Sequence, residues 1–284
     1  MVARETETRR DLTVEMAPMS VLSTGRALVW TDQAGAVWTM PVGGEPKQLS
    51  DQKHPDFAFS LFAAGDQLFA TGRHGVLKVD LEAGSVTTLP VTGLPDQPED
   101  AVADRDYLYV TIFKRDDVLR IPVTGGKAEK IANVSRGVLG IHGSTVYIAS
   151  YAAGTLSVLT PTPRLIAKGL PRPTAVAADA THAFVYCERD QVLRKIDLAT
   201  GVETKLAGDL INSDDVLVDG DWVYTRSWGA KGTLLRVPKA GGAVQTLADD
   251  LRSPYRIASD AGAIYVTSRD DRRIVRIPRS TLSP

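Results

Sequence analysis

Residues Asp104 to Gly126 read DRDYLYVTIFKRDDVLRIPVTGG. An aromatic-rich alternating run is followed by a short polar turn, a second alternating run, and a stop at Pro122-Val-Thr-Gly-Gly. Alternation of β-branched and aromatic residues between Gly, Pro and Asp turns is the signature of short antiparallel strands. The same grammar recurs at Asp219 to Gly242 (DGDWVYTRSWGAKGTLLRVPKAGG) and at Asp260 to Pro278 (DAGAIYVTSRDDRRIVRIP), with a weaker copy at Thr24 to Gly44. Anchored on Leu108, the first residue of the central apolar pair, the equivalents are Leu28, Leu68, Val146, Ala183, Val223 and Ile264. The intervals are 40, 40, 38, 37, 40 and 41 residues. The fifth anchor is the least secure, because Ala183 to Tyr186 could be slid by two positions.

Each unit divides into four short strands: a small apolar one (Ala101 to Ala103), the aromatic one, a third ending in Ile-Pro, Val-Pro or Val-Asp, and a polar fourth such as Lys127 to Ile131. Four strands in about 40 residues match a propeller blade. The seventh copy stops after its third strand, and a run before the first copy, Asp11 to Met16, belongs to no unit. That N-terminal run is expected to complete the last blade, because an open ring would leave two unpaired edges. The expectation is an all-β, single-domain, seven-bladed propeller over residues 1–284, with residues 1–10 disordered.

The chain is 43% apolar, with a formal net charge of -1 and one cysteine, Cys187. Balanced charge argues against a nucleic-acid partner, and a lone cysteine excludes an internal disulfide framework. No apolar run reaches the length of about 20 residues that spans a bilayer, and Met1 to Leu12 lack a signal-like apolar core. These features predict a cytoplasmic monomer with no membrane partner.

Asp219, Val223-Tyr224-Thr225, Leu235 to Lys239, Gly241-Gly242 and Leu247-Ala248 give these units the form D…VYT…LRVPK…GG…LA, which resembles bacterial NHL/YWTD-like propeller repeats. The resemblance covers nearly the whole chain. Such propellers include binding modules, virginiamycin B lyase and other enzymes, so it implies a fold without choosing an activity. It also implies that the loop entering each inner strand and the loop between strands two and three share one face around the central channel. Virginiamycin B lyase-like members hold a divalent metal there with histidine and glutamate. Of the four histidines, only His54 and His74 fall on that face.

Function must then lie where the copies differ. Nine and eight residues before the anchors stand Met19-Ser20, Phe59-Ser60, Glu99-Asp100, Gly137-Val138, Thr174-Ala175, Asp214-Asp215 and Tyr255-Arg256. Blades three and six oppose each other in a seven-fold ring, so two acidic pairs face across the funnel. Gathered carboxylates repel unless a cation, a proton or arginine lies among them. Arg136, Arg172, Arg252 and Arg256 stand in or beside neighbouring entry loops. The acids therefore read either as turn caps and salt-bridge partners, or as ligand-facing groups. In the second case Glu99, Asp214 and Asp215 would be catalytic, and Glu99, Asp100 and Asp214 would hold Ca or Mg. Five residues past the anchors, Phe113, Tyr151 and Trp228 place aromatics in loops where Gly, Asn and Asp prevail.

Tyr255, Arg256, Phe113, Tyr151, Trp228, Arg136 and His54 are the candidate ligand-binding set, for a small molecule or a peptide. Three readings stay open: a binding protein, an enzyme (lyase, hydrolase or cyclase) at the same funnel, and a protein-interaction scaffold. Asp104, Asp179, Asp219 and Asp260 recur at one turn position and read as Asx turns. Arg120, Arg236 and Arg276 recur in the third strand and are expected on blade surfaces. Cys187 reads as a buried thiol.

Overall fold

The computed structural model describes residues 9–50, 59–95, 97–112, 114–228 and 231–282. It is a ring of seven four-stranded antiparallel blades. All seven second strands start one residue before the anchors read from the sequence: Ala27–Asp32, Gln67–Thr71, Tyr107–Ile112, Thr145–Ser150, His182–Cys187, Trp222–Ser227 and Ala263–Ser268. The insecure fifth anchor is included, since Ala183 pairs with Ala178 on one side and Ile196 on the other. Every anchor is buried. The only helix among the described residues is the single turn Arg279–Thr281, and no helix there is long and apolar enough to cross a membrane.

The apolar alternation buries one residue set against the preceding blade and the other against the next. Seven hydrophobic clusters result, one in each gap between neighbouring blades. The gap between blades seven and one is filled by Val21, Leu28, Trp30, Ala258, Ala263, Tyr265 and Ile274, so the ring is closed. Its clasp is the N-terminal strand Arg10–Thr13, which pairs antiparallel with the third strand of blade seven, Leu12 opposite Ile274. The strand begins one residue earlier and ends three earlier than the run expected from the sequence. Val14 then turns away with its N–H still bonded to the Arg272 carbonyl at 2.8 Å.

Strand register fixes which loops share a face. The first residue of an inner strand lies opposite the last residue of its second strand, as with Pro98 and Ile112, Pro173 and Cys187, or Pro254 and Ser268. Entry loops and strand two-to-three loops therefore emerge together, as the resemblance implied. The two are laced by a recurring bond: the first loop N–H of Gln33, Tyr151, Glu188 and Arg269 donates to the carbonyl of Ala17, Arg136, Arg172 and Ser253 respectively.

The turn aspartates behave as Asx caps in three copies. Asp104 accepts from the N–H groups of Asp106 and Tyr107, Asp179 from Thr181 and His182, and Asp260 from Gly262 and Ala263. Asp219 pairs instead with Arg279. Arg236 departs from the expectation of a surface residue. It is 3% exposed, stacks 3.7 Å over the Trp222 ring, and donates to Gln245. The ring offsets part of the cost of burying the cation in a way that a third-strand position alone does not reveal.

Candidate functional site on the funnel face

The pairs expected in entry loops stand within the first residues of the inner strands in blades one, three, four, five and seven and just before them in blades two and six. In blades one, three, five and seven the ladder slips a register there. A threonine near the end of the second strand explains the slip in three of them. The backbone N–H groups of Ser20, Asp100 and Arg256 donate to the hydroxyls of Thr31, Thr111 and Thr267, and Ser60 in blade two does the same to Thr71. These side-chain acceptors replace the carbonyls that the slip removes. The sequence signal was available as threonine three residues past the anchor in four copies, and sequence reasoning missed it.

In blades one, three and six the second residue of the pair reaches the following blade. Ser20 accepts from Leu61 N–H at 3.0 Å, Asp100 from Leu139 N–H at 2.8 Å, and Asp215 from Ile257 N–H at 2.7 Å. All three acceptors stand eight residues before an anchor, and all three donors seven before the next. Asp100 and Asp215 thus clasp blade three to four and blade six to seven through their inner strands. The position carries a structural task whatever else it does.

Arg256 supplies the charge balance between the facing acids. Its guanidinium lies 3.3 Å from Asp215, reaches Ser60 of blade two at 3.5 Å, and interacts electrostatically with Asp100. Burial works against its charge, yet Asp215, Tyr255 and Asp100 outweigh this and hold it firmly protonated. Burial raises the Asp100 carboxyl above the ordinary range, with Arg256 and the N–H groups of Leu139 and Ala101 pulling the other way. Glu99 is also raised, first by burial and then by Asp100, against the opposing pull of Arg136.

Asp214 has a different partner, which the sequence reading did not name. Arg226, 2% exposed, ion-pairs with Asp214 and donates to the carbonyls of Tyr255 at 3.1 Å and Asn212 at 3.1 Å. It stands three residues past its anchor, where four other copies carry threonine; that exception was the missed signal. Tyr255 lies among three guanidiniums, with Arg269, Arg256 and Arg226 at 5.2, 5.5 and 5.7 Å from its ring centroid. On the same blade as Arg226, Trp228 projects from the strand two-to-three loop and is 45% exposed.

Tyr151 and Arg136 come together further round the face. Arg136 stacks 4.1 Å from the Tyr151 ring, and the Tyr151 hydroxyl donates to Glu188 at 3.0 Å. The candidates thus form two groups, one around Tyr255 and Arg256, the other around Tyr151 and Arg136, with Asp100 coupled electrostatically to Arg256 and Glu99 to Arg136. Phe113 and His54 lie outside the described residues. Among those described, no three of His, Cys, Asp and Glu gather so as to hold a metal ion. Cys187 is buried, and burial pushes its thiol up to about 12, which leaves it unreactive near neutrality.

No protein-family model matches the sequence, and no curated protein is similar to it. Solved structures are. Virginiamycin B lyase from Staphylococcus aureus superposes with a TM-score of 0.79 at 12% identity, over 95% of this chain and 99% of that one. A catalytically inactive variant of that enzyme with quinupristin gives 0.78 at 12% identity, over 95% and 99% of the two chains. A streptogramin B lyase gives 0.76 at 13%, over 94% and 96%. At such identities the likeness is one of fold, and it agrees with the seven closed blades built above from the repeat.

Proposed function

We propose that this protein binds a small molecule, or a short peptide, on the funnel face of its channel, above blades six and seven. The observation that carries the reading is Trp228, a large aromatic left 45% exposed two residues past Arg226, whose charge is already paired with Asp214. Such a ring offers broad contact area at little entropic cost. The charged groups are preorganised, since Arg226 and Arg256 are held by aspartates and carbonyls before any ligand arrives. Binding there would not have to order those side chains. The bacterial NHL/YWTD-like character of the repeats is consistent with this use but rests on the repeat residues alone.

A thermal-shift screen of small molecules and peptides, headed by quinupristin because a structural neighbour was crystallised with it, tests the reading. Hits are expected to bind Trp228→Ala and Arg269→Ala at least tenfold more weakly. Hits whose affinity is unchanged in both variants would place the ligand elsewhere and refute the assignment.

An enzymatic reading of the same face has one specific support. Burial and Asp100 hold the Glu99 carboxyl above its ordinary range, which is the direction a general acid requires. Its mark would be ligand turnover that Glu99→Gln abolishes while binding persists. A Ca- or Mg-assisted version has no three-ligand cluster among the described residues to rest on.

A further inference from the structure

Blades four and five carry a second feature on this face. Arg136 and Arg172 from the two entry loops, with Tyr151 and Arg189 from the loops between strands two and three, line an open depression of about 460 Å³. Its remaining walls are Ala152 to Gly154 and Gly169 to Pro171, four of the six being alanine or glycine. Gly154 is required there: its φ is +63°, and a Cβ would stand 2.5 Å from the Leu170 carbonyl oxygen.

The guanidiniums are arranged to present free donors. Arg136 and Arg172 lie 4.1 and 5.6 Å from the centroid of the Tyr151 ring. A guanidinium held over a ring keeps its N–H edges available for acceptors in its own plane. No ion pair joins Arg136, Arg172 or Arg189 to a carboxylate among the described residues, in contrast to Arg226, Arg256 and Arg273 on or near the same rim. The adjacent acids leave a surplus of positive charge. Glu188 takes the Tyr151 hydroxyl, and Glu99 acts on Arg136 only through space. Three cations against two carboxylates is a local excess on a chain whose formal net charge is -1. Gathered cations of one sign favour an anion among them.

The repeat makes the arrangement particular to these two blades. In blades one and seven the residues whose carbonyls lace the loops are Ala17 and Ser253, where blades four and five have Arg136 and Arg172. Both arginines adopt left-handed backbone, with φ of +48° and +57°, a conformation that asparagine accepts more readily.

We propose that this depression is an oxyanion subsite, in which Arg136, Arg172 and Arg189 take up a carboxylate or phosphate group of the funnel-face ligand. It rests on the funnel reading for the rest of that ligand, but the subsite itself is testable alone. Carboxylate and phosphate share the paired acceptor oxygens that a guanidinium edge matches.

The experiment titrates benzoate, inorganic phosphate and uncharged benzamide into the full chain, following arginine Nε–H signals by NMR. The variants are the double substitution Arg136→Asn and Arg172→Asn, which suits the left-handed backbone, and the single Arg189→Gln. At least one anion is expected to bind saturably at low millimolar concentration and more weakly as salt rises. Affinity should fall at least tenfold in the double variant and several-fold in Arg189→Gln, and benzamide should not bind. Preference for benzoate identifies a carboxylate ligand, and preference for phosphate a phosphorylated one. The proposal is overturned if neither anion saturates, if benzamide binds as well, or if both folded variants bind like the parent. Hits from the Trp228 screen that tolerate the double variant would leave the funnel reading standing without this subsite. Anion binding with no Trp228-dependent hit would leave the subsite standing without that reading.

Discussion

Asp215 holds two different donors at once, the Ile257 N–H at 2.7 Å and the Arg256 guanidinium at 3.3 Å. Removing the carboxylate would orphan a strand N–H and leave a half-buried cation without its nearest counter-charge. Breaking such a pair costs more than the pair contributes, because the surviving charge stays desolvated. Asp215→Ala is therefore expected to destabilise the fold by about 2–4 kcal/mol. Asp214→Ala should cost less, about 1–3 kcal/mol: it strips a counter-charge from the buried Arg226, but it orphans no strand N–H, and Arg226 keeps two carbonyl acceptors. Urea melts of the two variants check the order, and an equal or inverted cost would contradict the clasp. The sequence singled out both residues as exceptions in the repeat, and correctly placed Arg256 as a counter-charge. It could not separate clasp from rim, because that depends on whether a side chain points to the next blade or to solvent. Arg226 and Arg236 escaped for the same reason: each sits on a strand, and its partners come from elsewhere in the fold.

At the scale of single elements, the N-terminal strand is held by charge as well as by its ladder. Arg9 bonds Asp11 at 3.1 Å and Asp250 at 2.8 Å. Arg273 joins Asp11, and reaches Asp250 and Asp271 at 3.2 Å each. The hydrogen bond from Arg9 and then that from Arg273 lower the Asp250 carboxyl from 3.8 to about 2. The folded clasp thus binds a proton less readily than the released chain, so its contribution is full above 3.8 and lost as pH falls toward about 2. Hydrogen exchange, corrected for its intrinsic pH dependence, should show Leu12 and Val14, whose N–H groups face the partner strand, losing protection in that window. Asp250→Asn should remove the pH step, at a cost below about 1 kcal/mol because the pair is open to solvent. Unchanged protection down to pH 2 would show that the ladder alone holds the strand. Much of this element was legible: Asp11 to Met16 formed a strand-like run that belonged to no unit of a seven-fold repeat whose last copy lacked a strand. Its true span, Arg10–Thr13, was not, since the boundary is set by where Val14 turns to follow the Arg272 carbonyl.

For the whole molecule, seven near-identical gaps must close on themselves, and the last gap is completed by the chain's beginning. Leu12 and Val14 pack into the cluster between blades seven and one, and Arg10 to Thr13 cover the outer edge of Arg273–Pro278. Deleting residues 1–14 would expose that edge and uncover both side chains. Full burial of an aliphatic side chain contributes about 1.5–3 kcal/mol. With Leu12 only partly buried, the loss is about 3–5 kcal/mol before any ladder bonds are counted. At about 2–4 °C per kcal/mol for a chain of this size class, Tm should fall by on the order of 10 °C. The uncovered strand should also pair with other copies, so light scattering should report association that the full chain does not show at the same concentration. A synthetic peptide of residues 9–14 added in excess should recover part of the lost Tm, because it binds only the folded ring. A truncated chain that keeps the parental Tm and shows no added association would mean that the ring is held by its seven interblade clusters alone, with the N-terminal strand an accessory to closure.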